Sequence, residues 1–209
     1  MPIIEISAGD GALLVGRQDG VWILDGGRWR RAGTVGEVRI EALARLSDGT
    51  LLAGHLDGLY RSTDGGATWA LVRIGDGAAV SSLAVDPHAP ARLWLGTPGS
   101  GLFRSENGGA TWAAVAGEGA PVRSFSALFP DPQQPGRLLA QVPYDRFYEW
   151  RAEGGRWAPT WEGIPVDVES VTLAFDPGGA GHLWAGTAAG IVERRPDGAW
   201  QRIAPALDE

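Results

Sequence analysis

Tyr144, Asp145 and Arg146 place a phenol, a carboxylate and a guanidinium on consecutive residues, inside the run QVPYDRFYEW, and Trp161 and Glu162 follow downstream. Two carboxylates such as Asp145 and Glu162 are what glycoside hydrolysis needs: one protonates the leaving oxygen, the other attacks or activates water. The same residues also suit plain binding. An exposed Tyr or Trp stacks on a sugar ring or an aromatic side chain, while the neighbouring acid and arginine fix its polar edge. Arg17 and His55, each at the end of a short apolar run, are candidate rim partners for such a ligand.

Other chemistries are excluded by residue type. The chain has no Cys, so disulfides and thiolate metal sites are impossible. All 18 basic residues are Arg, which removes lysine Schiff bases and the phosphate-loop lysine. His55, His88 and His182 fall in different kinds of loop, and no calcium-type loop is present, so no metal and no other cofactor are expected. A net charge of -7 and a pI near 5.0 argue against nucleic acid. No apolar run approaches the roughly 20 residues of a membrane span. The first residues carry no basic, apolar leader, so the expected location is cytoplasmic, without membrane insertion.

The elements that would hold these residues come from self-similarity. LLVG at Leu13, LLAG at Leu51, LWLG at Leu93, LLAQ at Leu138 and LWAG at Leu183 are copies of one apolar run. Each is preceded by a strand-like run (IIEIS, EALARL, SSLAV, FSALF, VTLAF) and followed by another (GVWIL, GLYRS, GLFRS, RFYEW, GIVER). Each copy then reaches a tryptophan: Trp29, Trp69, Trp112, Trp157 and Trp200. Five units of roughly 40 residues, each with four short strands and no helical stripe, predict propeller blades. The expected fold is all-β: a single five-bladed β-propeller domain of four-stranded antiparallel blades. No strand is left over for exchange between the termini. The blades fall near 2–34, 35–76, 77–119, 120–163 and 164–209. Adjacent apolar residues in the middle strands mean that both faces of each sheet are covered, which stacking of neighbouring blades achieves. The five tryptophans are expected to lie buried between blades.

STDGGATW at Ser62 and SENGGATW at Ser105 are the most closely copied segments. Their form resembles the Asp-box of bacterial-neuraminidase-type repeats, at Ser62, Asp64, Gly66, Thr68 and Trp69, and again at Ser105, Asn107, Gly109, Thr111 and Trp112. Over nearly the whole chain the sequence resembles the Asp-box propeller superfamily, most of all its photosystem II assembly factors and glycosidase-like repeat proteins. The resemblance implies that the box is a structural turn away from the ligand face. A sialidase would add three convergent arginines and a Tyr–Glu pair; Arg17, Arg39, Arg123 and Tyr144 are available, but the arginine motif that opens such domains is absent.

In four-stranded blades the loops between strands two and three, and between consecutive blades, share one face. Tyr144, Asp145, Arg146, Trp161, His55 and Arg17 all belong there. The fourth unit departs from the repeat, with a longer loop and Gln141 where other blades have Gly. Such departures mark the places where function overrides local consistency. The expected function is a non-catalytic binding or scaffold propeller that takes a protein, peptide, carbohydrate or small ligand over the central channel. The alternative is a small glycoside-active hydrolase.

Overall fold

Gly26 and Gly27, with φ of 55° and 78°, let the chain reverse in two residues between strands that carry Trp22 and Trp29. Left-handed φ at both central positions gives the hairpin turn whose twist matches its strands. Repetition of such hairpins builds the molecule. The computed structural model describes residues 3–9, 12–17, 19–33, 35, 39–116, 123–142, 147–160, 172–175, 182–187, 190–195 and 199–205.

Among the described residues, twenty strands form five antiparallel four-stranded sheets, each from four consecutive strands. The first blade holds β1 (Ile3–Gly9), β2 (Ala12–Arg17), β3 (Gly20–Asp25) and β4 (Arg28–Arg31). The second holds β5 (Ala42–Arg45), β6 (Leu51–His55), β7 (Gly58–Ser62) and β8 (Ala70–Val72). The third holds β9 (Ser82–Val85), β10 (Leu93–Gly96), β11 (Leu102–Ser105) and β12 (Ala113–Ala114). The fourth holds β13 (Ala127–Pro130), β14 (Arg137–Gln141), β15 (Phe147–Arg151) and β16 (Arg156–Pro159). The fifth holds β17 (Thr172–Phe175), β18 (Leu183–Thr187), β19 (Gly190–Arg194) and β20 (Trp200–Pro205). The fold is the expected five-bladed propeller, and the first and fifth sheets exchange no strand. Among the described residues, no helix is long and apolar enough to cross a membrane.

Strand alternation sends neighbouring side chains to opposite faces of a sheet, and each face meets a different blade. In β6, Leu51 and Ala53 pack against Leu14, Val21 and Ile23 of the first blade, whereas Leu52 packs toward Leu93 and Leu95 of the third. Trp94 and Leu102 of the third blade meet Leu138 and Ala140 of the fourth. Leu139 and Phe147 meet Leu183, Ala185 and Val192 of the fifth. Each such aliphatic side chain, fully buried, contributes about 1.5–3 kcal/mol.

The segments linking blades add main-chain bonds. The N–H groups of Val80 and Phe125 donate to the carbonyls of His55 and Thr97, both at 2.9 Å, and that of Ile40 donates to Arg17 at 3.4 Å. Ile40, Val80 and Phe125 are buried there. A side chain on Gly54 would place its Cβ 2.5 Å from a Val80 methyl, so this glycine, next to last in β6, admits the linker residue.

The tryptophans depart from expectation at one end. Trp69, Trp112, Trp157 and Trp200 each join the apolar cluster that their blade shares with the preceding one. Trp157 is buried at 3% exposure, whereas Trp29 is 51% exposed. Among the described residues, no such cluster joins Trp29 to the fifth blade. The same seam leaves Ile191 44% exposed, although Leu59, Leu102 and Phe147 at the matching position are 0%, 3% and 4% exposed.

Candidate functional site

Arg17, His55 and Thr97 occupy the same position in three successive blades, at the mouth of the loop after strand two. Each uses its side chain to build its own loop. The Arg17 Nε lies 3.3 Å from the Asp19 carboxylate, and the guanidinium carbon sits 5.5 Å from the Trp22 ring centroid. Trp22 Nε1 donates to the same carboxylate at 3.2 Å. The His55 ring is buried, and its Nδ1 accepts the Asp57 N–H at 2.9 Å with the Asp57 carboxylate 3.5 Å away. The Thr97 hydroxyl donates to the Gly101 carbonyl and accepts from the Ser100 N–H, both at 2.8 Å.

Arg17 and His55 therefore flank the face as ordered corners of separate loops, and no hydrogen bond described here joins them. Arg39 pairs with Glu41 at 2.9 Å on the same face. Leu56 stands 58% exposed beside His55. Tyr144, Asp145, Arg146 and Trp161 lie outside the described residues. The residues that carry their loop are described: Val142 and Phe147 are buried on either side of it, and Phe147 meets Phe129 edge-on at 6.3 Å. Trp150, in the same blade, is core, with its ring 5.5 Å from Trp157. Among the described residues, no group of three or more His, Asp or Glu could hold a metal ion.

On the opposite face the repeated turn spends its polar groups on itself. Ser62 Oγ donates to Asp64 at 2.8 Å and accepts the Gly66 N–H at 2.8 Å. Asp64 accepts the Thr68 N–H at 2.9 and 3.0 Å and the Thr68 hydroxyl at 2.6 Å. The Thr68 hydroxyl and N–H, then Ser62, lower the Asp64 pKa to about 2. In the third blade Asn107 accepts the Thr111 N–H at 2.9 Å, and its amide donates to the Thr111 hydroxyl at 2.8 Å. Ser105 bonds Asn107 at 3.0 Å and Gly109 at 2.9 Å, as Ser62 does in its own turn. Trp112 Nε1 donates to Gly109 at 3.1 Å. The preceding blade clamps each turn: Arg30 donates to the Gly65 carbonyl at 2.7 Å and Arg61 to that of Gly108 at 2.9 Å.

A second repeated turn escaped the sequence reading. DPHAPAR at Asp86 and DPQQPGR at Asp131 share an aspartate and an arginine six residues later. One Asp131 oxygen accepts the N–H groups of Gln133 and Gln134, and the other binds Arg137 at 2.6 Å. Arg137 also reaches Glu149 at 2.8 Å, and Arg151 pairs with that same carboxylate. Burial works against the Arg137 charge, but Glu149 and Asp131 outweigh it and hold its pKa above the ordinary value. Asp86 and Arg92 repeat the pair at 3.3 Å, and in the fifth blade His182 takes the arginine's place, bonding Glu193 at 2.8 Å. The repeated D-P and R spacing was the available signal.

No protein-family model matches the sequence, nor does any curated protein. Solved structures do resemble the fold. An ancestral GH74 enzyme superposes with a TM-score of 0.77 at 19% identity, over 96% of this chain and 31% of its own. YCF48 bound to D1 peptide superposes with a TM-score of 0.74 at 17% identity, over 97% of this chain and 67% of its own. The GH74 xyloglucanase from Xanthomonas campestris gives 0.71 at 21% identity, over 100% of this chain and 40% of its own. The chain thus spans less than half the length of the two GH74 proteins. These likenesses establish the β-propeller fold.

Proposed function

We propose that the chain is a non-catalytic binding propeller whose ligand is a polypeptide segment held over the central channel. The fourth-blade loop would supply the contacts through Tyr144, Asp145, Arg146 and Trp161, with Arg17 and His55 as fixed rim. One observation carries this reading: the side chains of Arg17, His55 and Thr97 are tied into their own loops, by an ion pair in one and by hydrogen bonds in the others. Such corners suit a preformed binding rim, whose rigidity limits the ordering cost of association. A propeller of like fold bound to a peptide lends support. The likeness to GH74 enzymes keeps a glycoside-active hydrolase as the second reading.

A peptide and glycan array probed with the intact chain distinguishes the two. The proposal expects saturable peptide binding, weakened about tenfold or more by Tyr144→Ala and by Trp161→Ala, as for other aromatic anchors. Hydrolysis of a xyloglucan oligosaccharide, abolished by Asp145→Asn or Glu162→Gln, would establish the hydrolase instead.

A further inference from the structure

The outermost strand of the first blade, β4, reads Arg-Trp-Arg-Arg, and all four residues are exposed. Arginines on an edge strand ordinarily keep foreign strands away. A tryptophan among them does the reverse, since 51% of its surface offers apolar area to solvent. Trp29 pairs across the hairpin with Leu24, which is itself only partly buried, so the apolar strip continues inward.

Among the described residues, no strand pairs with the backbone of this edge either. β4 is the last strand of its sheet. The Ala32 N–H donates to the Val21 carbonyl at 2.9 Å, which fixes the hydrogen-bonded pairs at Val21–Ala32, Ile23–Arg30 and Asp25–Arg28. By the alternation of an antiparallel ladder, the N–H and C=O groups of Trp29 and Arg31 then point away from β3, toward the free edge. Their side chains share one face of the sheet, because residues two apart in a strand do.

We propose that β4 is a docking strand for an acidic, extended peptide. The peptide adds to the sheet through the main-chain groups of Trp29 and Arg31, as in other strand additions. An apolar side chain of the peptide rests on Trp29, and its carboxylates meet Arg28 and Arg31; Arg30 stays engaged with the Gly65 carbonyl of the second blade, and Arg31 also donates to the Asp19 carbonyl. Charge selects the partner: three guanidinium groups within four residues make this edge locally basic in a chain of net charge -7. This surface goes beyond the channel-face reading and is independent of it.

The test uses the intact chain and a fluorescein-labelled decapeptide of alternating Glu and Val, read by anisotropy. Saturable binding is expected, weakening with added salt, lost with an alternating Lys and Val peptide, and lost when the peptide backbone is N-methylated at alternate residues. Trp29→Ser and the pair Arg28→Glu, Arg31→Glu should each weaken it at least about tenfold, with unchanged far-ultraviolet circular dichroism, while Tyr144→Ala leaves it unaltered. Absence of saturable binding, equal binding of the basic peptide, or undiminished binding by Trp29→Ser would each overturn the proposal. So would self-association in sedimentation that Trp29→Ser abolishes, because a second copy would then be the occupant.

Discussion

The Arg137 guanidinium lies 2.6 Å from the Asp131 carboxylate, whose side chain is 3% exposed, and its other arm reaches Glu149 at 2.8 Å. Removing the arginine leaves the buried Asp131 carboxylate with backbone N–H donors but no cation, and leaves Glu149 to Arg151 alone. Arg137→Met should therefore cost about 3–5 kcal/mol, the scale of a broken buried pair. The matching Arg92→Met, whose pair with Asp86 is longer at 3.3 Å and whose side chain is 30% exposed, should cost less. Urea denaturation of both variants measures the difference.

Asp64 carries a pH dependence with a defined sign. Its pKa in the folded chain is lowered to about 2, so the turn's contribution is present above the unfolded value of about 3.9 and fades as pH falls toward 2. Asn107 shows how an amide holds the same turn. Asp64→Asn should keep the fold and flatten the fall in stability between about pH 4 and pH 2, in urea midpoints against pH. An unchanged slope would remove Asp64 from the acid response.

The two extremes of the tryptophan series should separate cleanly. Trp157→Ala empties a position packed against Phe125 and Trp150 and should lose about 3–5 kcal/mol. Trp29→Ser should shift the unfolding midpoint by less than about 1 kcal/mol equivalent, as exposed substitutions do.

Gly54→Ala should destabilise by about 1–3 kcal/mol, because its methyl meets Val80 beneath the second-to-third blade linker. Gly99→Ala, with open space around it, serves as the control. Pairing Gly54→Ala with Val80→Ala should recover part of the loss, and thermal melts would register it.

Reach explains which features were legible before the structure. The strands, their hairpins and the copied turn depend on residues close in sequence: alternation, paired glycines, and a Ser, Asp and Thr two to four residues apart. Repetition then supplied the blade number. Tyr144, Asp145, Arg146 and Trp161 stood out only because they break that repetition.

The sequence by itself determined a ring of five four-stranded sheets, because short-range hydrogen bonding and two-sided apolar patterning admit little else. Tertiary structure alone decided the rest. Whether a tryptophan is covered depends on the face that a neighbouring blade presents, so identical local roles leave Trp157 at 3% and Trp29 at 51% exposure. Whether a polar residue is available depends likewise on partners in three dimensions. His55 becomes a loop acceptor, and Glu149 joins the Asp131–Arg137 pair in one buried network, because chain reversal brings a group of the next strand against a pair that only its own repeated spacing announced.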